Sequence, residues 1–114
     1  MAKPLELKKN DLQPYYYGEV KDSSGAAVNI TGAIIYCTMR AGSATPKINR
    51  QTTGITITDG PNGLFEYHWQ AGETDTTGKY NIEFEINPVA GGKFTVPKRP
   101  DDAIVLILEA LDAS

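Results

Sequence analysis

Chemistry near neutral pH needs a base, a nucleophile or a metal ligand held in reach of a partner. This chain offers few such groups. It has one histidine, His68, and one cysteine, Cys37. His68 stands between Tyr67 and Trp69 in an alternating stretch, so it points away from both, toward solvent or a partner. That placement suits a surface strand residue better than a catalytic base. Cys37 lies mid-strand among apolar neighbours and reads as a buried small hydrophobe, with nothing basic nearby to make a thiolate. One His and one Cys cannot assemble a zinc site. Asp22-Ser-Ser-Gly25, Asp59 and Asp101-Asp102 supply oxygens but lack the spacing of a calcium loop, and turn chemistry explains them. No glycine-rich phosphate loop leads into a helix. The expectation is a protein that is not an enzyme, with no cofactor and no metal.

The aromatics carry the other possible chemistry. Tyr15, Tyr16, Tyr17, Tyr36, Tyr67 and Trp69 could form a platform for sugars. Alternation sends at least half of them to the core and leaves Tyr15, Tyr17 and Tyr36 as the candidates for exposure. Those three would serve a protein interface equally well, since tyrosine is enriched there.

Length and charge bound the rest. At 114 residues the chain is one domain, able to build a core without staples. A net charge of -3 and scattered basic residues, with Lys8-Lys9 and Lys98-Arg99 the only doublets, give no footprint for nucleic acid. A single cysteine excludes an intramolecular disulfide. The N-terminus has no apolar core of signal-peptide length, and the longest apolar run, Ala103 to Leu108, is too short to span a bilayer. A protein kept in the cytoplasm, or assembled there into something larger, fits these features, with no membrane partner.

The elements that would position these residues are strands. Tyr80, Ile82, Phe84 and Ile86 alternate with Asn81, Glu83 and Glu85, the pattern of a strand with one buried face. Just before it runs Asp75-Thr-Thr-Gly78-Lys-Tyr80, which looks like a tyrosine corner, where a Tyr hydroxyl bonds back to the preceding turn. The position two residues after Tyr80 is Ile82, so no inter-sheet disulfide accompanies it. Earlier strands are expected over Pro4 to Lys9, Tyr15 to Lys21 with Tyr16, Gly18 and Val20 on one face, and Ala33 to Arg40 with Ile35, Cys37 and Met39 inward. Lys47 to Arg50 is a possible short edge strand. Gly54 to Thr58 and Leu64 to Trp69 flank Asp59-Gly-Pro-Asn-Gly63, the strongest hairpin signal. Lys93 to Val96 begins another strand, and Pro97 and Pro100 bracket a basic loop. Short strands with a turn signal every 8–12 residues or so imply an all-β, antiparallel, immunoglobulin-like sandwich of seven to eight strands, its core running from about residue 5 to 109.

The last strand is unusual. Ile104, Leu106 and Leu108 face one way, Val105 and Ile107 the other. A strand apolar on both faces needs a cover for the second. Either an intermolecular contact or a local segment supplies it. The intermolecular reading makes Ile104, Val105, Leu106, Ile107 and Leu108, with Tyr15 and Tyr17, the candidate interface, while Asp75, Gly78 and Tyr80 are structural.

Several pieces together resemble a tailed-phage virion module: the immunoglobulin-like domain found at the N-terminus of upper baseplate proteins and as short stand-alone virion proteins. The pieces are Asn10-Asp11 with Pro14, Lys21-Asp-Ser-Ser-Gly25-Ala-Ala-Val-Asn-Ile-Thr-Gly32-Ala, Thr38-Met39-Arg40, Asn62-Gly63-Leu-Phe-Glu-Tyr67-His-Trp69, and Ala71-Gly-Glu-Thr-Asp75-Thr-Thr-Gly78-Lys-Tyr80-Asn-Ile-Glu-Phe84-Glu. They run from about Lys8 to Glu109. The chain departs from the family in having Asn10 where a Gly is usual and in its hydrophobic final strand. The resemblance implies a structural role: a sandwich docked on portal, adaptor, tail, baseplate or capsid proteins in several symmetry-related copies. Capsid decoration and a carbohydrate or host-surface binding module are the alternatives.

Overall fold

A computed structural model describes residues 4–22, 24–42, 44–89, 91–96 and 103–109. The basic doublet Lys98-Arg99 with its flanking Pro97 and Pro100, the Asp101-Asp102 pair and Ser23 lie outside these residues.

Among the described residues there are nine strands: β1 (Leu5–Lys8), β2 (Tyr16–Glu19), β3 (Ile34–Arg40), β4 (Ile48–Gln51), β5 (Ile55–Asp59), β6 (Leu64–Tyr67), β7 (Gly78–Asn87), β8 (Phe94–Val96) and β9 (Ile104–Leu108). The count exceeds seven to eight because both short segments, β4 and β8, pair. A six-stranded sheet has the order β1-β9-β7-β3-β4 with β8 also on β7; a three-stranded sheet has the order β2-β6-β5. The inner faces pack as a sandwich around Ile35, Cys37, Met39, Phe65, Tyr67, Trp69, Ile82, Phe84 and Ile86. The sheet is not wholly antiparallel. β1 runs parallel to β9, with Leu5 opposite Val105 and Leu7 opposite Ile107, because the chain crosses from one sheet to the other between β1 and β2.

β8 and β9 occupy one edge of β7. Phe84 pairs with Val96 and Ile86 with Phe94, then Asn81 with Ile104 and Gly78 with Ile107. β3 holds the opposite edge from Asn81 to Asn87. The two short strands run in the same direction, one following the other, so together they are a single strand position interrupted after Val96.

Turn chemistry fixes the corners. Asp22 accepts hydrogen bonds from the Ser24 amide and hydroxyl and from the Ala26 amide, closing the β2–β3 turn. Gly63 ends the short 3-10 turn Gly60–Asn62 with φ of 72°, and a Cβ there would lie 2.5 Å from the Val20 carbonyl oxygen. Asn10, in the turn after β1, has φ of 72°. Asn is among the few side chains that tolerate this left-handed region.

Candidate docking faces

The corner gathers one end of the sandwich. The Tyr80 hydroxyl donates to the Thr76 carbonyl oxygen at 2.8 Å. Asp75 pairs with Lys47 from the β3–β4 loop and accepts from the Thr76 hydroxyl, and these bonds hold its carboxyl below the usual range. The Thr74 hydroxyl donates to the Asp11 carbonyl, and the Asn10 amide donates to the Thr74 carbonyl. The β6–β7 loop is thus tied to both the β1–β2 linker and the β3–β4 loop. Asp75 and Tyr80 bond within this corner, and Gly78 opens β7 with φ of 152°.

Beside the corner lies a polar cluster that sequence reasoning missed. Glu73, only 7% exposed, accepts from the Tyr67 hydroxyl at 2.8 Å, the Gln51 side-chain amide at 2.7 Å and the Gln70 backbone amide at 2.9 Å. Gln51 also donates to the Tyr67 hydroxyl at 2.9 Å. Burial and the bond to Glu73 push the Tyr67 hydroxyl above the usual tyrosine range. Cys37 is buried in the core, and its desolvation, with the charge of Glu73, raises the thiol far above the range of a nucleophile. The cluster is closed and fully hydrogen-bonded, with no buried side-chain polar atom left unpaired among the described residues. The alternating pattern gave no sign of it, because Glu73 sits in a loop with Thr and Gly neighbours.

The final strand divides. Val105 (0% exposed) and Ile107 (2%) point into the sandwich core, so these two are not interface residues. β9 is flanked by β1 and β7, so it has no free edge to offer a neighbour's sheet. The reason is the parallel β1, which the alternation alone did not place beside it. Ile104, Leu106 and Leu108 face outward; Leu108 is 39% exposed and the other two are half-buried.

The outer face of the three-stranded sheet carries Tyr17, 67% exposed, beside Glu66 on β6. The Tyr15 ring stacks on His68 with centroids 3.8 Å apart, and His68 Nε2 lies 2.7 Å from Glu66 Oε1. His68 therefore faces away from Tyr67 and Trp69 and is engaged by Tyr15 and Glu66. Tyr36 lies instead on the opposite sheet, half-buried beneath the Arg50 guanidinium, which also pairs with Glu85 at 2.8 Å. The three tyrosines expected at the surface do not share one platform.

Along the outer face of the six-stranded sheet, an open groove of ≈ 270 Å³ is lined by Thr38, Arg40, Gly42, Asn81, Ile82 and Glu83. Among the described residues no three His, Cys, Asp or Glu side chains gather as metal ligands, and no helix is long and apolar enough to cross a membrane. Neither models of known protein families nor curated proteins give a match to the chain.

Proposed function

We propose that the chain is a non-enzymatic structural protein of a tailed-phage virion, an adaptor at the neck, tail or baseplate that docks on other virion proteins in several copies. What supports this reading is where the resembling residues fall. Asp22 and Gly25 close the β2–β3 turn, Gly63 ends the β5–β6 hairpin, and Thr74 to Tyr80 build the corner. They maintain an architecture rather than a reaction centre. The strand order also supports the immunoglobulin-like assignment. β2-β6-β5 facing β9-β7-β3-β4 follows the B-E-D and G-F-C-C′ arrangement, with Tyr80 near the start of the strand in the F position.

The test is proteomic quantitation of purified phage particles from the host that makes the chain. A fixed copy number relative to the portal protein supports the reading. Abundant chain in the lysate with none in the particles would sink it. The alternative of a glycan-binding face draws on one observation, the exposed Tyr17 beside Glu66. Glycan-array binding lost in Tyr17→Ala would favour it, and silence of the unaltered protein would remove it.

A further inference from the structure

The outward row at the middle of β9 reads Glu6, Leu106, Lys79 across three neighbouring strands. Strands lie about 4.8 Å apart, so the two charges stand roughly 10 Å apart with Leu106 between them. Glu6 and Lys79 are exposed, and neither forms an ion pair among the described residues. Above and below Leu106 on the same face stand Ile104 and Leu108, giving an apolar stripe along β9. The row is acidic on one flank, apolar at the centre and basic on the other.

We propose that this face is a contact between two copies of the chain, related by a two-fold axis lying along β9 between the stacked sheets. Rotation about that axis sets β9 on β9 and exchanges its neighbours, so β1 of one copy faces β7 of the other. Leu106 meets Leu106, and Glu6 meets Lys79 twice, once on each side. An axis across the strands would instead set Glu6 on Glu6 and Lys79 on Lys79. The charges therefore select the first orientation and reject the second. The adjacent Ile104 row sets no like charges against each other, since its β7 neighbour is the neutral Asn81. Aligned sheets packed about 10 Å apart are an ordinary geometry for such faces. The contact stands on the residues of this chain alone and holds whether or not the virion reading does.

Sedimentation equilibrium of the whole purified chain tests it, with thermal melting to show that each variant folds. The unaltered protein should give a monomer–dimer equilibrium. Glu6→Lys and Lys79→Glu each turn two attractions into two repulsions, and each should raise the dissociation constant on the order of tenfold. An equimolar mixture of the two variants should recover dimerisation, because the basic face of one then meets the acidic face of the other. The double variant Glu6→Lys with Lys79→Glu should recover it as well. A protein monomeric at millimolar concentration, or variants whose mixture stays as weak as either alone, would overturn the proposal.

Discussion

At the scale of single residues, the most informative side chain is Glu73. A buried carboxyl receiving three hydrogen bonds leaves the Tyr67 hydroxyl and the Gln70 amide without their acceptor when it is removed, while the Gln51 amide keeps its bond to the Tyr67 hydroxyl. Orphaned buried groups cost more than an average hydrogen bond returns. Glu73→Ala should therefore destabilise the fold by about 2–4 kcal/mol, while Glu73→Gln, which keeps acceptor capacity, should cost about half as much or less. Urea denaturation monitored through Trp69 measures both. Equal losses would mean that cavity formation, and not hydrogen bonding, governs the site. The residue escaped sequence reasoning because, although Gln70 and Tyr67 are near in sequence, Gln51 comes from β4 of the other sheet and only the packing of the two sheets brings it to Glu73. Tyr80 was legible for the opposite reason. Its partner, the Thr76 carbonyl, lies four residues away in the same turn, so local spacing carried the information.

At the scale of elements, alternation located β3, β5, β6 and β7 and most inward faces, including Ile35, Cys37 and Met39 on β3 and Phe65, Tyr67 and Trp69 at and beyond β6, while β4 was legible only as a possible edge and β9 through its β-branched content. What it could not give was neighbourhood. An apolar run such as β9 is consistent with an exposed edge awaiting a partner and equally with a strand flanked on both sides. Only the non-local pairing of β1 with β9, about a hundred residues apart in sequence, decides between them. The two faces of β9 should accordingly respond in opposite ways. Ile107→Asp buries a charge without a partner and should unfold the domain, a loss above about 4 kcal/mol. Leu106→Asp should leave melting nearly unchanged and abolish self-association. Circular dichroism with sedimentation separates the outcomes, and a folded Ile107→Asp protein would contradict the placement of that side chain in the core.

At the scale of the molecule, ionisable groups set a window of stability. Hydrogen bonds hold Asp22 and Glu85 below the usual carboxyl range, chiefly from Ser24 and Asn87 respectively, and Lys47 does the same for Asp75. Groups with a depressed folded pKa stabilise above their unfolded value, and that stabilisation fades as pH falls through the folded one. Burial raises Cys37, Tyr16 and Tyr67, so their contribution is complete below the unfolded pKa and declines as pH rises past it. The urea midpoint should be flat near neutrality, fall gently below about pH 4 and fall more steeply above about pH 9. The acid limb is gentle because Asp22 and Asp75 are exposed and Glu85 still reaches solvent, so all three are screened. Removing the thiol with Cys37→Ala should shallow the alkaline limb. An alkaline limb unchanged by that substitution would assign it to the tyrosines.

The interrupted strand position on β7 has a practical consequence. β8 and β9 are registered independently, each by its own pairs on β7, so neither register depends on the length of chain between Val96 and Ala103. Lengthening a connection costs only slowly growing loop entropy. Residues spliced in there would leave both pairings intact, and the sandwich could display a grafted peptide from the flank of its larger sheet. The two separately registered halves thus give the fold a port for cargo between Val96 and Ala103.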